Sequence, residues 1–127
     1  MKRTILFSLA ILSAVLLNAA VGISNGNTTL YYELNNTEKI ATLVPSEGEP
    51  YAGVVNIPEN IQHDGVNYDV ATIAKEAFKG CKELTEISIP RTITKIGGHA
   101  FKGCENLRTV NYNATNCVSA ADVAGKS

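Results

Sequence analysis

The chain has 127 residues, of which 45% are hydrophobic and 18% charged, and its formal net charge is −1. This length accommodates one domain, and the composition is that of a globular protein rather than a disordered one. Lysine and arginine are scattered along the sequence, without the concentrated basic patch that a nucleic acid requires. A nucleic-acid partner is therefore excluded.

The N-terminus has the three parts of a secretory leader. Basic residues follow the first methionine, an apolar run extends from Ile5 to Leu17, and small residues then permit cleavage after Ala20 or Gly22. The apolar run is shorter than the ~20 residues that a membrane-spanning helix needs. We predict a leader over residues 1–22, export to a secreted, periplasmic or cell-surface location, and a mature form outside the membrane.

An internal repeat organises much of the remaining sequence. Ile73–Lys95 (IAKEAFKGCKELTEISIPRTITK) aligns without a gap with Ile96–Val118 (IGGHAFKGCENLRTVNYNATNCV). Repeats of this length with an L-x-x-L-x-L core are typical of leucine-rich repeats. We predict a mainly β fold with short helical turns: a right-handed leucine-rich-repeat-like solenoid of about two regular 23-residue coils after an irregular first coil.

Each repeated residue type has a structural reason. The Leu-x-x-Ile-x-Ile run predicts a short strand with one buried face, and the glycine after Ala-Phe-Lys predicts a turn. Phe78 and Phe101 fall at equal positions of successive coils, so we expect their rings to be buried and stacked about 4.8 Å apart. Cys81 and Cys104 also coincide, which favours buried apolar thiols over a disulfide. The state of Cys117 stays open.

The first coil differs from the other two. Ile57-Pro58-x-x-Ile61 matches Ile89-Pro90-x-x-Ile93, but more residues then follow before the next coil begins at Ile73. This insertion contains Asp64-Gly65, a strong hairpin signal, followed by apolar residues at a period of two. We predict a β-hairpin that projects from the first coil.

A second predicted hairpin lies nearer the N-terminus. Leu30–Leu34 and Lys39–Val44 flank the turn-forming run Asn35-Asn36-Thr37. Its position suits a cap over the open side of the first coil, which solenoids require. The predicted organisation is a leader at 1–22, a hairpin cap at 23–50, the solenoid at 51–118 and a tail at 119–127.

These motifs resemble the BspA-type leucine-rich repeat, whose unit runs roughly I-G-x-x-A-F-x-G-C-x-x-L-x-x-I-x-I-P-x-x-V. Ile96–Cys104 matches the first half of that unit, Leu84–Pro90 matches the second, and the likeness covers residues 51–112. The resemblance implies an exported or cell-surface protein of bacteria or some protists that adheres to host or matrix proteins. Asn113 departs from the pattern because it stands where Pro90 stands one coil earlier.

Catalytic, cofactor and metal sites are not predicted, and we do not expect an enzyme. Gly22–Gly26 matches G-x-S-x-G, but a nucleophile elbow needs a strand before it and a helix after it, and this match lies at the leader boundary. His63 falls at a predicted hairpin turn, and His99 occupies a variable position of the repeat, so both are expected to be solvated.

The remaining function is binding. Residues between the buried positions of each strand point outward, which gives a candidate binding face of Glu86, Ser88, Thr109 and Asn111 for a protein or glycan partner. The alternative is a partial repeat protein with a structural role within a longer array. In either case no C-terminal cap is evident, so the last strand should expose its edge and one side of the core. The chain is then expected either to self-associate through that end or to continue into further repeats.

Overall fold

The computed structural model describes residues 19–117, in which nine β-strands are joined by turns. The strands are β1 (Val21–Asn25), β2 (Thr28–Asn35), β3 (Ile40–Val44), β4 (Gly53–Asn56), β5 (Asn60–His63), β6 (Val66–Ile73), β7 (Leu84–Ile89), β8 (Lys95–Ile96) and β9 (Thr109–Tyr112). No helix long and apolar enough to cross a bilayer occurs in this part of the chain. The predicted tail and most of the predicted leader lie outside the described residues, although β1 begins inside the 1–22 boundary.

The strands form two sheets. A parallel sheet has the order β9-β7-β4, and the second sheet has the order β1-β2-β3-β6-β5, with β8 pairing with the end of β6. Ile87 pairs with Val110 in the first sheet and Ile73 pairs with Ile96 in the second, so both sheets have the same 23-residue offset. One hydrophobic cluster contains side chains of both sheets. The predicted solenoid and its repeat register are confirmed.

Each coil has one side in each sheet, and its third side consists of turns. Helices are not formed anywhere in residues 19–117. Within a coil, the Ala77 amide donates to the Ala74 carbonyl at 3.2 Å and the Cys81 amide to the Phe78 carbonyl at 3.1 Å. Between coils, the Phe78 amide donates to the Ala100 carbonyl at 2.8 Å. The segment predicted to have helical or turn character is therefore a series of four-residue turns that hydrogen-bond to the next coil.

The hairpin in the first coil forms as predicted. β5 and β6 pair in antiparallel register around Asp64 and Gly65, whose φ angles of 53° and 78° are those of a tight hairpin turn. The expectation that this hairpin projects from the coil is wrong. β6 also pairs in parallel with β3, and its last two residues pair with β8, so the hairpin is a continuous part of the second sheet.

The N-terminal hairpin is also confirmed, since β2 and β3 are antiparallel. The sequence did not predict β1, which adds a third antiparallel strand and turns into β2 at Gly26, where φ is 70°. Because β3 pairs with β6 of the first coil, this three-stranded unit is a continuous part of the second sheet.

An aromatic column fills the core. Phe78 and Phe101 are buried, their ring centroids are 5.2 Å apart and their planes differ by 7°, which confirms the predicted stacking. Tyr51 continues the column from the irregular coil, with its ring centroid 4.9 Å from that of Phe78. Its hydroxyl donates to the Val44 carbonyl at 2.7 Å and accepts from the Tyr31 amide at 3.1 Å. Tyr51 therefore connects the solenoid core to the N-terminal strands.

Cys81 and Cys104 are thiols buried in this core, with 4% and 5% of their surface exposed. The Cys104 thiol donates to the Phe78 carbonyl at 3.0 Å. Burial raises the pKa of the Cys81 thiol, so its reactive thiolate is scarce at neutral pH. Cys117 is only partly buried.

We expect iodoacetamide to label Cys117 in the folded protein and to label Cys81 and Cys104 only after denaturation. The physical reason is that alkylation requires an accessible thiolate, which the two core positions lack. Peptide mass spectrometry of native and denatured samples, prepared without reductant, measures this. A disulfide between Cys81 and Cys104 would contradict the stacked-core assignment.

The last strand, β9, lies at the edge of the parallel sheet. Val110 is half-buried and Tyr112 is 37% exposed, whereas Ile87 and Ile89 at the same positions of the preceding coil are fully buried. A hydrogen bond with Cys117 raises the pKa of Tyr112 to about 12. The predicted exposure at this end is therefore confirmed for β9, where Val110 and Tyr112 occupy core positions of the repeat but remain partly exposed.

The turn side of the last coil is covered. Ala100 and Phe101 are at most 1% exposed, and Ala114 joins the hydrophobic cluster. Arg91 stands at the position of Ala114 one coil earlier and is exposed, so the chain after β9 leaves the repeat pattern and turns an apolar side chain inward. The expectation that one side of the core is exposed at this end is therefore wrong for the turn side of the coil.

Candidate functional site

The four residues predicted from the sequence come together on the parallel sheet. Glu86 and Ser88 lie on β7, Thr109 and Asn111 lie on β9, and the register pairs Glu86 with Thr109 and Ser88 with Asn111. Ile87, between the first two, is fully buried. The alternation of a pleated strand therefore places these four side chains on the face opposite the core.

Hydrogen bonds between coils hold this face in one arrangement. The Asn111 side-chain amide donates to Glu86 Oε2 at 3.0 Å and to Ser88 Oγ at 3.1 Å. One amide group thus joins both residues of the neighbouring strand. Because these side chains already have partners, little rotamer freedom is left to lose when a ligand binds.

The sequence did not identify the contribution of β4. Val54 pairs with Glu86 and Asn56 pairs with Ser88, so β4 adds a third residue to each row. Val54 is 56% exposed and is the most exposed large hydrophobic side chain in residues 19–117. The hairpin insertion shifts β4 out of the 23-residue register, so the repeat alignment did not identify Val54 and Asn56. The alternation of exposed and buried residues around Val55 could have identified them.

We call these six residues the strand face: Val54, Asn56, Glu86, Ser88, Thr109 and Asn111. Its two edges differ. At the β4 edge the Asn25 side-chain amide donates to the Asn56 carbonyl at 2.8 Å. At the opposite edge β9 has no further strand beside it within the described range. A partner strand can therefore approach only the β9 edge without displacing an existing hydrogen bond.

A groove lies beside the strand face, between the β1–β2 hairpin and the loop that precedes β4. Its volume is about 630 Å³, and Tyr31, Glu49, Pro50 and Val54 are among its lining residues. Volumes of this order are typical of small-molecule sites. Val54 belongs to both the groove and the strand face, so the two surfaces are contiguous.

The two histidines do not assemble into a site. His63 Nε2 lies 3.4 Å from an Asp64 carboxylate oxygen, and the Asp64 side chain is 86% exposed. His99 is exposed on a turn with a φ of 58°. Over residues 19–117, groups of three or more histidine, cysteine or acidic side chains that could hold a metal ion are not found.

The two-sheet coil, the constant offset and the stacked core residues define a leucine-rich-repeat solenoid. The BspA type leucine rich repeat region (6 copies) matches residues 55–122, more than half of the chain. The chain therefore belongs to the BspA-type leucine-rich-repeat family, as the sequence resemblance indicated.

Solved structures of bacterial leucine-rich-repeat proteins share this fold. A leucine-rich repeat protein from Bacteroides ovatus is 31% identical, with a TM-score of 0.63, over 69% of this chain and 23% of that protein. A leucine rich cell surface protein from Faecalibacterium prausnitzii is 29% identical, with a TM-score of 0.59, over 80% of this chain and 27% of that protein. The chain therefore spans about a quarter of the length of these two relatives. No curated protein sequence matches it significantly.

Proposed function

We propose that this chain is an exported, non-enzymatic binding module whose strand face contacts a protein partner, in cell-surface adhesion to host or matrix proteins. The observation that carries the proposal is the fixed arrangement of the face, in which Asn111 joins Glu86 and Ser88 beside the exposed Val54. An exposed apolar side chain next to polar groups of fixed geometry is typical of recognition surfaces.

The size of the strand face limits its affinity. Three strands about 4.8 Å apart and about four residues long cover roughly 14 Å by 13 Å, well below the ~800 Å² per partner of a stable interface. The face alone therefore binds weakly. The two relatives are about three times as long as this chain, and in an array of that length this face would form one segment of a larger binding surface.

Export is supported by the leader pattern and by the relative that is named a cell surface protein. Of the two cleavage positions, the structure favours the one after Ala20. Val21 and Gly22 pair with Tyr32 and Tyr31 in the N-terminal sheet, and cleavage after Gly22 would remove both of those pairs. We therefore propose that the mature chain begins at Val21.

The second candidate function is structural: the chain would be a partial repeat protein that supports a longer array. The open edge of β9 and the exposed Tyr112 favour it, because an edge strand with an apolar side chain beside it is suited to pairing with another strand. That strand would belong to a further coil or to a second copy of the chain.

Val54→Lys should weaken binding to a matrix protein at least tenfold, because it replaces the exposed apolar side chain of the strand face with a charge that the partner must desolvate. Biolayer interferometry with immobilised fibronectin, laminin and type I collagen measures the effect. The control is Gln62→Lys, which adds the same charge at an exposed position of β5 and should change the affinity less than twofold. Absence of binding by the unmodified protein, or equal effects of both variants, would favour the structural alternative.

A further inference from the structure

The groove beside Val54 contains a tyrosine ring held against the sheet. Tyr31 pairs with Gly22 across β1 and β2, and a Cβ atom at Gly22 would come within 3.0 Å of Tyr31 Cε1. The ring therefore occupies the space that a side chain at Gly22 would fill. Its hydroxyl would lie 3.4 Å from a Cβ atom at Gly48, so the ring extends from Gly22 towards Gly48, and Tyr31 is one of the residues that line the groove.

The groove walls are also held in place. Ser46 Oγ donates to the Glu49 carbonyl at 2.6 Å and accepts from the Gly48 amide at 3.0 Å. The Tyr31 amide donates to the Tyr51 hydroxyl, which ties the tyrosine strand to the base of the loop. Both sides of the groove are thus fixed before a ligand arrives, which lowers the entropic cost of binding.

The polar lining selects the chemistry of the ligand. Asn27 and Thr29 supply an amide and a hydroxyl group, and Glu49 supplies a carboxylate. The groove's lining among the described residues contains no lysine, arginine or histidine. Cationic side chains give phosphates, sulfates and carboxylates their strongest hydrogen bonds, and Glu49 repels them, so the lining disfavours an anionic polymer.

From these features we propose that the groove binds a neutral glycan chain. A sugar ring presents a C–H face that packs on an aromatic ring, and its hydroxyl groups donate to and accept from amide, hydroxyl and carboxylate groups. Tyr31 supplies the ring, at low entropic cost because it is already fixed. Asn27, Thr29 and Glu49 supply the polar partners. This site is separate from the strand face, apart from the shared Val54.

A proline-rich peptide is the main competing ligand, since such peptides dock in grooves lined with aromatic rings. Those grooves use several rings to grip the prolines, whereas Tyr31 is the one aromatic side chain among the described lining residues. The abundance of hydroxyl and amide groups around that single ring favours the glycan.

The test is a titration of the ¹⁵N-labelled protein with neutral cellohexaose, chitohexaose and mannohexaose. Hexagalacturonate serves as the anionic probe and deca-proline as the peptide probe. We expect saturable amide shifts at residues 27–31 and 46–54 with at least one neutral glycan, and none with the other two probes. Absence of shifts with all three neutral glycans, or stronger shifts with hexagalacturonate or deca-proline, would overturn the proposal.

Variants assign the effect to the groove. Tyr31→Leu removes the aromatic face and Glu49→Gln removes the carboxylate charge at an exposed position, and each should weaken the glycan at least threefold, with Tyr31→Leu near tenfold. Tyr112→Leu, an equivalent change at the far end of the array, should leave the affinity unchanged. If the amide spectrum of Tyr31→Leu loses its dispersion, the variant is unfolded and the test rests on Glu49→Gln. Unchanged glycan affinity of Glu49→Gln would then contradict the proposal. None of these variants changes Val54, so a negative result in the matrix-protein test does not alter the interpretation of the glycan titration.

Discussion

Phe101→Ala should lower the free energy of unfolding by about 3–5 kcal/mol. Phe101 is 1% exposed and stacks on Phe78 at 5.2 Å, so the truncation leaves a buried cavity at the end of the aromatic column. Domains of this size have a total stability of about 5–15 kcal/mol, and a loss of this magnitude is a large part of it. Urea unfolding followed by circular dichroism measures the change.

The matched control is Tyr112→Ala, an aromatic truncation on the exposed last strand. It should cost less than about 1 kcal/mol, because Tyr112 is 37% exposed and leaves no closed cavity. Equal losses for the two variants would contradict the assignment of Phe101 to the core and of Tyr112 to the surface.

Gly97→Ala should destabilise the protein by about 3 kcal/mol or more, although it adds a single methyl group. A Cβ atom at Gly97 would lie 2.3 Å from the Lys75 amide nitrogen and 2.6 Å from Lys75 Cα. These are backbone atoms of the preceding coil, so no side-chain rotation relieves the clash. The coils would have to separate where the Gly97 amide donates to the Ile73 carbonyl at 2.8 Å.

The control for this substitution is Gly48→Ala. A Cβ atom there would meet only the Tyr31 hydroxyl, at the ordinary contact distance of 3.4 Å. The same urea titration should therefore place Gly48→Ala within about 0.5 kcal/mol of the unmodified protein. A Gly97→Ala variant as stable as this control would show that the coils do not approach each other as closely as the structure indicates.

The regular coils were predictable because stacking imposes the same environment every 23 residues. Phe78 and Phe101 occupy equivalent buried positions of successive coils, so the sequence repeats them. Tyr51 has the same role in the irregular coil, but its position relative to Phe78 follows a different loop, and sequence alignment could not identify it. β1 was missed for another reason: its residues overlap the small, uncharged run that a leader cleavage site also requires.

The strand face was predictable only in part. Alternation along a strand determines which residues point outward, and this correctly grouped Glu86 and Ser88 with Thr109 and Asn111. The hydrogen bonds that Asn111 makes to its neighbours depend on side-chain rotamers, which alternation does not specify. The Tyr31 groove depends on a glycine opposite a tyrosine across two strands, and that pairing requires the register of β1, which had not been predicted.

The central claim is that residues 73–95 and 96–118 stack as consecutive coils, and the contact between Phe78 and Phe101 tests it most directly. The chain has three phenylalanines, and Phe7→Leu removes the one in the predicted leader. In a deuterated sample with protonated phenylalanine rings, nuclear Overhauser effects between rings can then arise only from this pair. The structure predicts clear inter-ring cross-peaks with upfield-shifted ring protons, because the planes lie 7° from parallel at 5.2 Å. Two rings with solvent-exposed chemical shifts and no cross-peak between them would contradict the stacked-coil fold.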